Sequence, residues 1–295
     1  MKTTSNAIFS PVIAGFAVAM ALGAGPALSQ EQKKPGGSAL DLRGDPEDLD
    51  IGEKEYSPYL DQGYPTRVFW GDTHCHTSYS TDAGMFGNRL GPDKAYRFAR
   101  GEEVVSSNGT RAKLIRPLDW LVVADHAENL GLAPMIEESN PDLLRIPWGK
   151  KVHDMTKGGK ADEAYATWGE AMQSGQDPLP EEAIMRSMWE RLTEFGEEYN
   201  EPGKFTALIG YEWTSSPGGN NLHRNVIFRD DKDRADQVIP FSNYDSSDPE
   251  DLWKWMAAYE EKTGGRVLAL AHNGNLSNGL IIDSAHLTQQ KPLKK

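Results

Sequence analysis

The chain runs VFWGDTHCHTSYSTD over residues 68–82, an apolar segment that becomes polar. The apolar part predicts a β-strand, in which alternate side chains point to the same face. Asp72, His74 and His76 therefore share one face. Cys75 points the other way and is predicted to be a core residue rather than a ligand. Two imidazoles so spaced can bind one divalent ion, with a nearby carboxylate orienting them. A strand that merely ends in polar residues is the alternative, but two of the chain's seven histidines lie here.

The composition describes a chain that can bury a sizeable core and that carries excess negative charge. Its 295 residues are enough for one large domain or two small ones, and 38% of them are hydrophobic. A mean hydropathy of -0.60 and 25% charged residues exclude a membrane-spanning bundle. The net charge is -13 and the basic residues form no cluster, so nucleic acid phosphates would be repelled. The expected partner is a small-molecule substrate, with no nucleic acid.

The first 29 residues have the pattern of a secretory signal peptide. Lys2 precedes an apolar run over residues 12–22, and small residues at 26–29 form a cleavage pattern before Gln30. The apolar run is too short for a typical membrane span, which favours a cleaved signal over an uncleaved anchor. The mature chain is therefore expected in the periplasm or secreted, with no membrane anchor. Cleavage removes one Lys and no acidic residue, so the net charge becomes -14.

Residues 30–65 are rich in Gly, Pro, Asp and Glu and show neither a helical nor an alternating pattern. This composition predicts an extended N-terminal arm ahead of a domain that spans residues 66–295. The single cysteine, Cys75, excludes an intramolecular disulfide even in a compartment that permits one.

Four later segments resemble the first strand in carrying a metal-ligating side chain at one end. These segments are 118–126, which ends in Asp125-His126; 205–213, with Glu212; 223–228, opened by His223; and 267–272, which ends in His272. In parallel α/β folds, ligands gather at the carboxyl ends of the strands. The predicted metal ligands are therefore His74, His76, Asp82, His126, Glu212, His223 and His272.

The segment of about 128–200 is long and mostly helical in composition, so we expect a helical insertion that forms a lid or a substrate wall. Its clearest helix covers residues 181–199, with apolar side chains at helical spacing. Another helix is predicted at 248–263, with Asp248 as its N-cap. His153 has no partner pattern nearby and is assigned to the surface.

Imidazoles mixed with carboxylates are the ligand set of Zn, Mn or Fe sites that catalyse hydrolysis. Seven candidates are too many for one ion, so two or three divalent ions bridged by Glu212 are expected. Ions held in this way lower the pKa of a shared water to about 7, which makes hydroxide available at neutral pH.

The order of these motifs resembles the PHP (polymerase and histidinol phosphatase) superfamily of metal-dependent phosphoesterases. Three segments are more similar still to an exported branch, the domain-of-unknown-function family 3604. They are residues 71–76 (GDTHCH), 123–129 (VADHAEN) and 210–214 (GYEWT). The resemblance covers about residues 67–279. It implies an α/β fold built as a distorted (β/α)7 barrel.

The resemblance also implies which residues share an ion. The implied groups are His74, His76 and Glu212 for a first ion; Glu212, His223 and His272 for a second; and Asp82 with His126 for a third. It further implies that Asp72 and Asp125 orient ligand imidazoles without binding metal themselves.

One departure from the superfamily pattern concerns the C-terminus. Superfamily members close the site with an Asp-x-His motif, whereas Asp283 and His286 are three residues apart in a polar tail. The barrel is therefore expected to be incomplete at its C-terminus, as in a fragment of a longer protein.

The expected function is an exported metal-dependent hydrolase of phosphate esters. Arg224, beside His223, is the only basic residue near the predicted ligands that suggests a phosphate pocket. Hydrolysis of amides or esters at an amidohydrolase-like site is therefore the first alternative. A metal-binding remnant without catalysis is the second.

Overall fold

The computed structural model describes residues 68–282, which form a mixed α/β fold. Three parts of the sequence prediction lie outside the described residues. They are the signal peptide (1–29), the N-terminal arm (30–65) and the tail that contains Asp283 and His286.

The strands of the described residues form two sheets. The strands are β1 (Gly71–Cys75), β2 (Val104–Val105), β3 (Arg111–Ala112), β4 (Trp120–Val123), β5 (Thr206–Trp213), β6 (Arg224–Phe228) and β7 (Val267–Ala271). β2 and β3 form a small antiparallel hairpin. The other five strands form the main sheet, in the order β1-β4-β5-β6-β7.

Helices occupy most of the connections between the strands. They are α1 (Thr81–Met85), α2 (Pro92–Ala99), α3 (Leu132–Glu138), α4 (Pro141–Arg145), α5 (Pro147–Lys157), α6 (Ala161–Ser174), α7 (Glu182–Tyr199), α8 (Lys232–Ala235) and α9 (Pro249–Thr263). Short 3-10 turns lie at Pro217–Gly219, Gly274–Leu276 and Leu280–Ile282. Among the described helices, none combines the length and the apolar composition that crossing a membrane requires.

The direction of the strands determines where their ends meet. β1, β4 and β5 run parallel, whereas β6 is antiparallel to β5 and β7 is antiparallel to β6. The ends of β1, β4, β5 and β7 and the start of β6 therefore lie at the same edge of the sheet. All five segments that carry predicted ligands reach this edge.

The described residues confirm the α/β class but do not confirm a (β/α)7 barrel. Three strands follow the predicted parallel pattern, but β6 comes back beside β5 through a loop rather than a crossover helix. Antiparallel neighbours can be joined by such a loop, whereas parallel neighbours need a longer crossover. The result is a five-stranded mixed sheet in the part of the chain that the structure describes.

Side chains along β5 alternate between the main core on one face of the sheet and a smaller cluster on the other. Ile209, Tyr211 and Trp213 belong to the large buried cluster, whereas Leu208 packs on the opposite face against a smaller one. Successive side chains of a strand alternate between its faces, so Glu212 lies on the same side as Leu208. The strand therefore carries a carboxylate on the face turned away from its main core.

Two helices stabilise the strands that carry the site. α7 occupies the predicted span and buries Trp189, whose ring lies 5.9 Å from that of Tyr211 and 5.7 Å from that of Phe228. α9 begins after Asp248, whose side chain accepts a hydrogen bond from the backbone N–H of Glu250 at 2.9 Å. This cap confirms the predicted start of the helix.

Candidate metal centre

Polar side chains line a cavity of about 410 Å³ at the edge where the strand ends meet. The lining residues are His74, His76, Asp82, His126, Glu212, His223, His272 and Asn273. All seven predicted ligands are in this set, and neither lysine nor arginine is among its described members. The sequence therefore identifies residues that the fold brings together from distant parts of the chain.

Strand topology explains why residues so far apart in sequence meet. His126 follows β4 and forms a parallel bridge with Glu212 of β5. His223 precedes β6, and its carbonyl accepts from the N–H of His272, which follows β7. Asp82 lies in the first turn of α1, directly after the β1 segment. An antiparallel β6 is what puts His223 at this edge although it opens its strand rather than ending it.

The carboxylate of Glu212 is 1% exposed and lies between two sets of imidazoles. On one side, its Oε2 atom lies 3.1 Å from His74 Nε2 and 2.7 Å from His76 Nε2. The two Nε2 atoms are 3.0 Å apart. These three ligand atoms lie close enough together to bind one ion.

The other oxygen of Glu212 faces a second set of imidazoles. Oε1 lies 2.6 Å from His223 Nδ1 and 3.0 Å from His272 Nε2. His126 Nδ1 is 3.8 Å from the same oxygen. The compact group here consists of His126, Glu212 and His223, whose ligand atoms all lie within 4.8 Å of one another. One carboxylate with a separate imidazole set at each oxygen has the placement that a bridging ligand requires.

A third group forms around Asp82. Its two carboxylate oxygens each lie 3.3 Å from His76 Nδ1, and Oδ2 lies 3.5 Å from His126 Nε2. The hydroxyl of Ser80 donates to Asp82 Oδ1 at 2.6 Å and lies 3.2 Å from His76 Nδ1. His76 and His126 therefore each border two of the three groups.

The charged groups in this cavity shift one another's pKa values. Burial would raise the pKa of Glu212, but the imidazoles around it, His126 foremost, keep that pKa well below its usual range. Burial would likewise raise the pKa of Asp82, which hydrogen bonds to His126 and His76 lower instead. Burial would lower the pKa of His76, but Asp82 and Glu212 raise it to about 10. The pKa of His126 is also raised, since Glu212 and Asp82 outweigh its burial.

Metal affinity is expected to rise with pH, because an ion must displace the proton that His76 holds at neutral pH in the metal-free protein. The proton on His76 leaves by itself only near pH 10, so it competes with metal throughout the range from 6 to 8. The affinity should increase roughly tenfold per pH unit for each proton released. Zinc titrations by calorimetry, in buffers of different ionisation enthalpy, measure both quantities. Binding that releases no proton at pH 7 contradicts this expectation.

The same proton gives the stability of the metal-free protein a defined pH dependence. A histidine whose pKa is raised by folding stabilises the fold fully below its unfolded pKa, near 6.5, and loses this contribution as the pH rises. For His76 the loss extends up to its folded pKa of about 10. In the metal-free protein, the contribution of the His76 ion pairs with Asp82 and Glu212 to the free energy of unfolding therefore falls between these two pH values, although the folded histidine keeps its proton up to about pH 10.

The donor set fits divalent transition metals. Five imidazoles and two carboxylates match the preferences of Zn, Mn and Fe, whereas Mg and Ca favour oxygen ligands alone. Cys75 is not part of the set: it packs against the main core, as predicted, and burial raises the pKa of its thiol to about 12. Its side chain contacts the core and does not line the cavity.

The two carboxylates expected to orient ligand imidazoles contact other groups. Asp72 is exposed and accepts from the backbone N–H of His74 at 2.8 Å, so it contacts the backbone rather than a ring. Asp125 is buried and accepts from the backbone N–H and the hydroxyl of Thr77, the latter at 2.7 Å. Asp125 therefore fixes the residue after His76. A register shift in β1 between Asp72 and Cys75 breaks the simple alternation on which the predicted role of Asp72 depended.

Two hydroxyl residues at the site do not stand out in the sequence. Ser80 and Thr214 are both buried, and their hydroxyls contact His76 Nδ1 and His126 Nδ1. Serine and threonine are too common for either to be selected by residue type. The position of Thr214 could have identified it, because a residue two positions beyond Glu212 lies on the same face of an extended chain.

Arg224, the basic residue expected near a phosphate pocket, does not line the cavity. It pairs with Trp213 across β5 and β6, whereas Glu212 pairs with Asn225. Paired residues of an antiparallel ladder share a face, so Arg224 lies on the core side of the sheet. Its guanidinium donates to the carbonyl of Leu222 at 2.6 Å.

Comparison with known proteins adds one family. A family model described as "Protein of unknown function (DUF3604)" matches residues 64–295, a segment that contains every candidate ligand. Comparisons with curated proteins and with solved structures gave no match.

Proposed function

The chain belongs to the DUF3604 family of proteins of unknown function, and we propose that it is an exported, metal-dependent hydrolase of a small-molecule substrate. Phosphate esters are the proposed substrate class, and two or three ions of Zn, Mn or Fe are the proposed cofactors. The observation that carries the proposal is the position of Glu212, with imidazoles within 3.1 Å of each of its oxygens. A buried carboxylate between two such sets suits a polynuclear site better than an isolated structural ion.

The order of the ligands along the chain supports the phosphate ester. A His-x-His pair after the first strand, a histidine after the next and a glutamate followed by two more histidines resemble the PHP superfamily. Within the described residues the fold agrees with such a barrel in its three parallel strands, β1, β4 and β5. We therefore propose membership of that superfamily together with the activity.

Divalent ions bound at such a site lower the pKa of a coordinated water and neutralise charge that develops on the reacting oxygens. The protein positions the ligand side chains and leaves one side of the cavity open to solvent. His74 and Asp82 have the most exposed side chains of the set, at 34% and 36%, whereas those of His126 and Glu212 are buried. A substrate is therefore expected to approach beside His74 and Asp82, with Glu212 beneath it.

A second candidate function is the hydrolysis of amides or carboxylic esters. The observation that favours it is the lining of the cavity, which contains neither Lys nor Arg among the described residues. A phosphate monoester brings two negative charges, and enzymes often add a cationic side chain to the metal ions that bind it. A neutral amide or ester has no such need.

Both candidates are tested with one panel of substrates and two histidine variants. Phosphate monoesters, phosphate diesters, carboxylic esters and anilides of p-nitrophenol or p-nitroaniline are assayed with the zinc- or manganese-loaded full chain. We expect turnover of a phosphate ester, lost in His74→Ala together with bound metal. His153→Ala is the matched control, since His153 lies on α5 and bonds to the Ser139 hydroxyl at 3.0 Å, outside the cavity.

The outcomes separate the candidates. Turnover of esters or anilides but not of phosphate esters favours the second function. A folded His74→Ala variant that keeps full activity is incompatible with both.

A further inference from the structure

His126 borders two groups of potential ligands, and it offers a different ring nitrogen to each. Its Nε2 atom lies 3.5 Å from Asp82 Oδ2, in the group that also contains His76. Its Nδ1 atom lies 3.8 Å from Glu212 Oε1, in the group that also contains His223. A neutral imidazole binds one ion through one nitrogen and carries a proton on the other. The ring therefore has to be assigned to one of the two groups.

The hydroxyl of Thr214 favours one of the two assignments. It is in hydrogen-bond contact with His126 Nδ1, and both residues are buried. Metal-binding histidines nearly always donate a hydrogen bond from the nitrogen that does not bind metal, which fixes the tautomer and the ring orientation. An Nδ1–H bonded to Thr214 leaves the lone pair of Nε2 facing Asp82.

Thr214 is itself held by a buried carboxylate. Glu128 is 0% exposed, and its Oε1 atom accepts from the backbone N–H groups of Thr214, at 3.3 Å, and Asn243, at 2.6 Å. Its second oxygen has no hydrogen-bond partner among the described residues. Burying a carboxylate costs free energy unless hydrogen bonds or an ion pair compensate it, and the two backbone N–H groups provide this compensation at Oε1. These contacts fix the turn after β5 against the loop that contains Asn243.

We propose that Thr214, held by Glu128, is a positioning residue that makes Nε2 the metal-binding nitrogen of His126. The inference rests on the proposed metal site. It agrees with the grouping that the sequence resemblance implies, in which His126 lies with Asp82, while His223 and His272 contact Glu212 Oε1 through their Nδ1 and Nε2 atoms. Neither Thr214 nor Glu128 touches metal or substrate in this arrangement.

The test uses zinc, which is diamagnetic, and long-range ¹H–¹⁵N spectra of the histidine rings of the full chain. The signals of His126 are identified by their absence in His126→Asn. In the zinc-loaded protein we expect His126 to carry its proton on Nδ1 and zinc on Nε2. Thr214→Val removes the hydroxyl at nearly constant volume, and Thr214→Ser restores it.

We expect Thr214→Val to lower the affinity for one zinc ion by roughly 10- to 100-fold, the usual cost of losing such a contact, and to leave the other zinc ions unaffected. Thr214→Ser should recover the wild-type affinity and spectrum. Zinc bound to Nδ1 of His126 in the wild-type protein overturns the proposal whether or not any variant folds. A Thr214→Val protein with the wild-type spectrum and affinities overturns it as well.

The spectra also separate this inference from the proposed function. Zinc on Nε2 without hydrolysis of any substrate supports the positioning role and removes the hydrolase. Hydrolysis together with zinc on Nδ1 supports the hydrolase and overturns the positioning role. A full chain that binds no zinc overturns both.

Discussion

Glu212→Gln is expected to remove bound metal and hydrolytic activity together while leaving the fold intact. Gln keeps the size of the side chain, but it replaces a charged pair of oxygens with one neutral oxygen and an amide NH2 that cannot bind metal. Because each oxygen of Glu212 faces its own imidazole set, the change affects two ions at once. The loss of affinity should exceed the roughly 10- to 100-fold cost of changes outside the coordination sphere. Zinc titration and elemental analysis measure it.

The matched control is Glu201→Gln. Glu201 is a surface carboxylate that pairs with Lys204 and Arg100, away from the cavity. Surface pairs of this kind contribute little to stability, so this variant should bind metal as the wild type does. A Glu212→Gln protein with native circular dichroism and a wild-type metal content shows that Glu212 is not a ligand.

Trp189→Ala is expected to lower the free energy of unfolding by about 3–5 kcal/mol, the range for removing a large buried aromatic side chain. Trp189 is 0% exposed, and its indole N–H donates to the carbonyl of Ala235 at 3.2 Å. Its ring packs on Tyr211 and Phe228, so the change leaves a cavity between α7 and the strands β5 and β6. Urea unfolding followed by circular dichroism gives the difference.

The control for this prediction is Trp253→Ala on α9. Trp253 is 44% exposed, and a surface change of this kind should alter stability by no more than about 0.5 kcal/mol. The folded fraction of Trp189→Ala should still bind the wild-type number of zinc ions, because the tryptophan lies on the opposite side of β5 from Glu212. A loss below about 1 kcal/mol would mean that α7 does not pack as described.

Hydrophobic periodicity predicts the elements that support the site closely. The strand expected at 205–213 is β5 (Thr206–Trp213), and the helix expected at 181–199 is α7 (Glu182–Tyr199). Both have long, regular patterns that few alternative structures satisfy. The N-cap of α9 at Asp248 is predicted from a different pattern, because a polar residue followed by proline is typical of the start of a helix.

Strand direction is the part of the fold that periodicity does not contain. β7 is an apolar run and β6 ends in one, and such runs look alike whether the strand is parallel or antiparallel to its neighbour. The antiparallel direction of β6 therefore could not be predicted from its hydrophobic pattern. The sequence feature that indicates an antiparallel β6 is the loop between Trp213 and Arg224, because it lacks a crossover helix.

The polar residues that line the cavity could be predicted, whereas the residues that contact them from behind could not. His74, Glu212 and His272 are recognisable because histidines are rare and lie at strand ends. The contacts of Asp72 and Asp125 depend on a register shift and on the loop after His76, which no sequence pattern specifies. Hydrogen-bond partners such as Thr214 are set by tertiary structure alone.

The content of bound metal shows whether one cavity holds several metal ions around Glu212. The full chain is purified without chelator and analysed for Zn, Mn and Fe per polypeptide. We expect two or three equivalents in the wild-type protein and a loss of at least two in Glu212→Gln. A folded wild-type protein that retains no metal, and that takes up none from micromolar zinc at pH 8, has no metal site around Glu212.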